Sequence, residues 1–344
     1  MSLNNAQKNF IDTFRIIALV LVVFGHGLGY LNLSKINNEQ YFPFIQNVGV
    51  VMFFLLSGFL TINSLELKYS SKEDYNLVKY IKHKFVRIYS ELLPAMLFIL
   101  LIDYISIKLN KPAYEIRFPN AFNVKDFIGN ILMLQGTSVN YIKILNFIPF
   151  GSARPLWTLS IEWWFYMVTG QLYFVIKNNK SFSLKDLVII IFFSLMPINY
   201  YISGRGNGLG FLFLLGILIY YLIPLTDFCT IALPISAIVL YVISGIVFKE
   251  AYNIISFYFM FLIMYLFLAY FKSKNSKRNN IISFICKFSF IIYLIHYSVL
   301  DFVSVYFINW GSMQQLLIFV LICIISTSII YNVSKVIKKA VLKF

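Results

Sequence analysis

The chain is poor in charge, in histidine and in cysteine. Charged residues fill 12% of its 344 positions, about half the share of a soluble domain, while apolar residues reach 60%. The mean hydropathy of +0.78 agrees. No soluble fold has interior enough for so much apolar surface. Disorder, a secreted disulfide scaffold and an ordinary cytosolic enzyme are therefore excluded together, and lipid has to be one solvent of the fold.

Cys229, Cys286 and Cys323 stand far apart inside apolar runs and read as small hydrophobes, not as a disulfide or metal set. His26, His83 and His296 are as scattered, with no other His or Cys at ligand spacing, so no metal is expected. Acidic residues are scarce too: 14 against 29 Lys and Arg, a net charge of +15. On a soluble protein that balance would suggest nucleic acid.

What is there explains the charge differently. Ten apolar stretches approach the roughly 20 residues a membrane helix needs: 11–30, 44–64, 86–107, 156–176, 187–202, 208–224, 229–248, 253–271, 281–300 and 314–334. The expected fold class is all-α, a polytopic integral membrane bundle of about ten transmembrane helices. An even number of crossings puts both termini on one side. Cytoplasmic termini leave twenty of the 29 Lys and Arg inside, with clusters at Lys68, Lys72, Lys79, Lys82, Lys84 and Arg87, at Lys177, Lys180 and Lys185, and at Lys335, Lys338, Lys339 and Lys343. The positive balance is then mostly topology, and nucleic acid is not expected as a partner. The first span is too long for a signal peptide and lacks a small-residue cleavage site, which predicts a retained anchor. Residues 1–344 read as one membrane domain with no appended soluble domain. The 108–154 segment is the one long extracytoplasmic stretch, alongside the 31–43 loop. Within it, 123–135 opens with Asn and Asp at capping spacing, which predicts an interfacial or re-entrant helix.

Ionisable residues inside apolar spans are costly and are functional candidates by default. Arg15, His26, Arg87, Glu162 and His296 qualify. Arg15 and His26 are eleven residues apart; at about 100° and 1.5 Å per residue they share one helix face, separated by about 16 Å. An extended phosphopantetheine arm has about that length, although a topological anchor and a packed polar residue fit the same facts. Glu162 lies in RPLWTLSIEWWFY at a depth comparable to His26, where a carboxylate needs a histidine, an arginine or a sugar hydroxyl for partner. The neighbouring Trp157, Trp163, Trp164 and Tyr166 suit either an interfacial aromatic belt or a sugar platform. Ser289, Tyr293 and His296 fall at i, i+4 and i+7, a polar stripe on the ninth span. Gly49, Ser57 and Gly58 mark a close helix crossing.

Five segments in order carry a resemblance. IDTFRIIALVLVVFGHG is similar to the opening helix of the bacterial membrane acyltransferase 3 family, marked by Arg or Lys, ten residues, then His. GVVMFFLLSGFL resembles its Phe-Phe…Ser-Gly signature, KFVRIYSELLP its basic third-helix segment, RPLWTLSIEWWFY its Leu-Trp-Ser-Leu-x-x-Glu segment, and SFIIYLIHYSV its late Ser…Tyr-Leu-x-His segment. There are departures. Lys84 stands where Arg opens the usual Arg-x-x-Arg ending at Arg87, giving charge without a bidentate fork. Ser90 follows Tyr89 in place of Pro, and Thr158 replaces a serine.

The resemblance implies a multi-pass protein of the cell membrane. It would move an acyl group, most often acetyl, from cytoplasmic acyl-coenzyme A to a hydroxyl of a cell-surface polysaccharide or lipid-linked glycan, directly within the membrane domain. Arg15, Lys84 and Arg87 would hold the phosphates of the donor substrate, acetyl-CoA or another acyl-CoA. His26 would be the base or a transient acyl carrier, with Glu162 orienting it or holding the sugar. Trp157, Tyr293 and His296 would line the acceptor site. The alternative is a glycan or glycolipid exporter or flippase. Membrane lipid is a partner in either case, and homo-oligomerisation is left open.

Overall fold

The structure, a computed structural model, describes residues 2–31, 45–71, 74–136, 146–177, 182–204, 206–227, 229–248 and 252–342. The expected 31–43 loop beyond Leu31, and Lys72, Lys180 and Lys343 of the inside set, lie outside the described residues. Twelve α-helices and no strand are found among the described residues: α1 (Asn5–Tyr30), α2 (Ile45–Ser71), α3 (Leu77–Arg117), α4 (Val124–Ile131), α5 (Trp157–Lys177), α6 (Leu184–Ile202), α7 (Leu209–Leu222), α8 (Ala232–Phe248), α9 (Ile254–Lys272), α10 (Asn280–Cys286), α11 (Ser289–Tyr306) and α12 (Ser312–Leu342). Among them seven, α1, α2, α3, α6, α9, α11 and α12, are long and apolar enough to cross a membrane. α7 and α8 are shorter apolar helices, and α5 carries Glu162 among its 21 residues.

Several helices run past the expected spans, and two spans differ in kind. The 86–107 span is the middle of a much longer helix, α3, which takes in the first ten residues of the supposed extracytoplasmic segment. It is broken once, at Asn110 (φ −157°, ψ 85°), two residues before Pro112. Proline cannot supply the amide that continues a helix, and the Asn110 side chain accepts from the Ala113 amide at 3.1 Å, capping a fresh turn. The 281–300 span is two helices, α10 and α11. At their junction the amides of Lys287 and Phe288 bond three residues back, to Phe284 and Ile285. The Ser289 hydroxyl donates to the Cys286 carbonyl at 2.8 Å. A serine satisfying backbone in this way competes with helix continuation, and hydropathy does not register it.

The described residues fall into two compact units. The first comprises Met1–Gly25, Ser34–Tyr75 and Asn207–Ser289. Its closest crossing is α2 on α7. A methyl group on Gly58 would land on the Phe213 carbonyl, and one on Gly216 would land on the Leu55 carbonyl, so each glycine opens the space the other helix fills. Gly49 admits the α1 backbone at Ala18 in the same manner. Gly58 of the second span is thus a packing device.

The second unit comprises His26–Leu33, Asn76–Gly206 and Phe290–Phe344. α11 is its core helix, with Ile291, Leu294, Ile295, Val299, Leu300 and Val303 almost fully buried. Of the predicted 123–135 helix, Val124–Ile131 is helical, as α4, and the Asn123 side chain caps the Asp126 amide at 2.8 Å. The segment after it is stitched back: Asp126 accepts from the Ile148 amide at 3.0 Å, and Asn130 donates to the Ile148 carbonyl at 2.9 Å. Further on, Gly151 adopts φ +51°, a conformation favouring glycine, with its α-carbon against the Asp103 carboxylate. Asp103 then accepts from the Ser152 amide at 2.9 Å and its hydroxyl at 2.7 Å.

The reciprocal crossing makes a prediction. Gly58→Leu and Gly216→Leu should each cost at least about 1–3 kcal/mol by overpacking. Gly245→Leu on α8, with nothing within 4 Å, should be neutral. Thermal unfolding in detergent reads the difference; equal melting temperatures across the three variants would refute the crossing.

Candidate functional site

The site is built on the second unit. The Ser152 hydroxyl lies 2.6 Å from Ser298 Oγ on α11, which holds the 146–153 segment against that helix. A 3₁₀ turn, Arg154–Leu156, leads directly into α5. Tyr293 on α11 fastens this entry. Thr158 donates to the Pro155 carbonyl at 3.0 Å, which leaves its oxygen to accept from the Tyr293 hydroxyl 2.5 Å away. The Tyr293 side chain is therefore a tether between α11 and the start of α5.

The Tyr293 carbonyl performs a second task. His296 Nδ1 lies 2.8 Å from it. A carbonyl oxygen only accepts, so Nδ1 carries the proton. The ring is 0% exposed. Its other nitrogen, Nε2, lies 3.0 Å from Nδ1 of His26, in the last turn of α1. The two rings are stacked at 5.2 Å between centroids, and the Tyr297 ring meets His26 edge-on at 5.2 Å. Tyr297 continues edge-on to Tyr30 at 5.1 Å. Two histidines 270 residues apart thus form one hydrogen-bonded pair with a tyrosine wall.

Beside this pair lies a bidentate ion pair. Arg117 Nε is 2.8 Å from Asp301 Oδ1, and Arg117 Nη2 is 3.1 Å from Oδ2. Arg154 stacks on Phe118, with its guanidinium 5.0 Å from the ring centre, and donates to the Arg117 carbonyl. Arg117, Arg154 and Asp301 were not among the residues expected at the site. Arg117 and Arg154 belong to the segment expected to lie outside the membrane, and no spacing in the sequence links either to Asp301.

The other expected residues fall as follows. Glu162 accepts from the Tyr166 hydroxyl one turn along α5; the partner of the His26 ring is His296. Lys84 is buried, with its ammonium 3.5 Å from the centre of the Tyr166 ring, while Arg87 is exposed. Trp157 is half-buried at the start of α5. Trp164 donates to the Met133 carbonyl at 2.7 Å, and Trp163 packs edge-on against Tyr89 at 5.4 Å, so both brace the helix. Arg15 belongs to the first unit and donates to Cys286 Sγ at 3.5 Å. α1 runs without a break from Arg15 to His26. Among the described residues no three His, Cys, Asp or Glu side chains converge as metal ligands would.

The fold and site define a multi-pass helical membrane protein with a histidine pair in its interior. A family model described as an acyltransferase domain matches residues 8–333, and the chain belongs to that family, acyltransferase 3. It is similar to a Staphylococcus aureus (strain COL) protein named "Putative O-acetyltransferase", 25% identical over 314 residues, covering 83% of this chain and 50% of that one. It is also similar to an "O-acetyl transferase" of Shigella phage Sf6, 26% identical over 192 residues, covering 55% of this chain and 52% of that one. The chain spans about half the length of the curated relatives it matches. No solved structure matches it.

The ion pair can be tested directly. Arg117→Met leaves the Asp301 carboxylate, 3% exposed, without its fork, at an expected cost of about 3–5 kcal/mol. Replacing both, as Arg117→Met with Asp301→Leu, should recover most of that loss in a thermal melt. A double variant no more stable than the single one would contradict it.

Proposed function

We propose that the protein is a membrane O-acyltransferase. It moves an acyl group, acetyl foremost, from acyl-coenzyme A at the cytoplasmic face to a hydroxyl of a cell-surface polysaccharide or lipid-linked glycan. The acyltransferase domain match and the names of the two relatives support the chemistry. The observation that carries the site is His26 held through Nδ1 by His296, a half-buried imidazole positioned by a buried one. Histidine suits proton transfer at neutral pH better than any other unperturbed side chain.

In this reading the ten apolar helices cross the cell membrane with both termini cytoplasmic, and residues 1–344 work as one acyltransferase domain. Arg15, Lys84 and Arg87 supply the positive charge for the donor's phosphates. Arg87 offers an exposed fork, while Lys84 adds charge from beneath the Tyr166 ring. His26 takes the proton of the acceptor hydroxyl. Glu162 and Trp157 belong to the acceptor side of the site, and Tyr293 supports it through the entry to α5.

Purified protein supplied with acyl-coenzyme A and glycan should release free thiol; an exporter would release none. His26→Ala should lower that rate by about 10²–10⁴-fold, the usual contribution of a general base, in a protein that still folds. Loss of a charge-assisted phosphate contact is worth about 1.5–3 kcal/mol, so Arg15→Ala should raise KM for the donor by about tenfold or more. Near-normal transfer by His26→Ala would end the assignment of His26, and an unchanged donor KM in Arg15→Ala would remove the phosphate site. Mass spectrometry of the surface polysaccharide, with and without the protein, identifies the acceptor.

A further inference from the structure

We infer that His296 is a positioning residue: it fixes His26 as the Nδ1–H tautomer, so that the reacting atom is His26 Nε2. Its function rests on the acyltransferase reading; the tautomer itself does not. The starting point is the Tyr293 carbonyl, 2.8 Å from His296 Nδ1. The carbonyl has no proton to give, so Nδ1 of His296 donates. A neutral imidazole carries one N–H, which leaves His296 Nε2 with a lone pair. That lone pair faces His26 Nδ1 at 3.0 Å. Two nitrogens at that distance need one proton between them. His26 Nδ1 supplies it, and neutral His26 then has its lone pair on Nε2. An unrestrained histidine side chain in water favours the opposite tautomer.

The pairing uses Nδ1 and leaves the Nε2 lone pair outside the hydrogen bond. Among the described residues His26 makes no other hydrogen bond, and its further contact is the edge of Tyr297 at 5.2 Å. His26 is half-buried while His296 is fully buried. The partner is thus enclosed, and the reacting ring retains partial exposure.

The arrangement also serves the step. As the acceptor oxygen bonds the acyl carbon, its proton moves to His26 Nε2. The C–S bond breaks, and the departing sulfur takes that proton to leave as a thiol. Between these events His26 is an imidazolium. Its Nδ1–H then points at a neutral ring whose own N–H points at a carbonyl, so the transient charge meets two aligned acceptors and no like charge. A second histidine of the wrong tautomer would present N–H to N–H and oppose the proton transfer.

Nitrogen-15 NMR of histidine-labelled full-length protein at pH 8 reads tautomers directly, and three histidines make assignment tractable. His83→Asn removes one signal without touching the pair. The expected result is the Nδ1–H form for both His26 and His296. In His296→Phe, which has no acceptor, His26 should shift toward the Nε2–H form and thiol release should fall by about 100-fold. His296→Gln, whose amide oxygen can accept from Nδ1–H, should keep the tautomer and at least a tenth of the rate. An Nε2–H form of His26 in the wild-type protein overturns the proposal, and that measurement stands even where His296→Phe fails to fold. A wild-type protein with the expected tautomers and no thiol release would instead refute the acyltransferase reading and leave the tautomer assignment intact.

Discussion

The polar interior of the second unit turns on Tyr293, which is used at both ends. Its hydroxyl holds the entry of α5 through Thr158, and its carbonyl fixes the proton on His296. In lipid an unmet donor or acceptor has no water to fall back on, so such groups settle where protein supplies the partner. One helical residue therefore couples the placement of two elements to the tautomer of a third side chain. The carbonyl is available for this because His296 lies three residues on, within reach of the turn that contains it. The ninth apolar stretch had to break at Cys286 and restart at Ser289, and the restarted helix is the one that carries Tyr293 and His296.

The acidic residues of the second unit act as stitches. Asp103 takes the amide and hydroxyl of Ser152, Asp126 takes the Ile148 amide, and Asp301 takes the Arg117 fork. Each ties a helix to a segment that sequence alone would leave as a loop. These ties explain how a stretch with little regular structure can present Arg154, Pro155 and Trp157 in one fixed order at the start of α5. A carboxylate that accepts two or three bonds is costly to leave unpaired, so removing a partner does more damage than the bond count suggests.

Much of this was legible in the sequence, and for identifiable reasons. Helix content and most span positions follow from hydropathy, because a membrane helix has one requirement that composition measures. The stripe of Ser289, Tyr293 and His296 follows from periodicity. The Gly58 crossing was legible as a close approach, though not its partner Gly216, which lies 158 residues further along the chain. The meeting of His26 with His296 was not legible from spacing, since no local pattern links positions at opposite ends of a chain. The resemblance implies that Glu162 orients His26 or holds the sugar; similar depth gives no azimuth, and the ring beside His26 in the structure is His296. The role of Asp103 is not legible in the sequence either, because it depends on Ser152, 49 residues further along the chain.

The ionisable groups also differ in what their partners leave over. Asp301 is neutralised by Arg117, Glu91 by Lys338, and Lys84 lies over an aromatic face. Glu162 is engaged by Tyr166 and Arg15 by Cys286. These arrangements lower the cost of a charge by occupying it. The histidine pair lowers the cost in another way: both rings are uncharged at rest, and the chain of donors ends on a lone pair rather than on a satisfied atom. A structural role would be met as well by any hydrogen-bonded polar pair. What the imidazoles add is a site that can take up a proton and give it back.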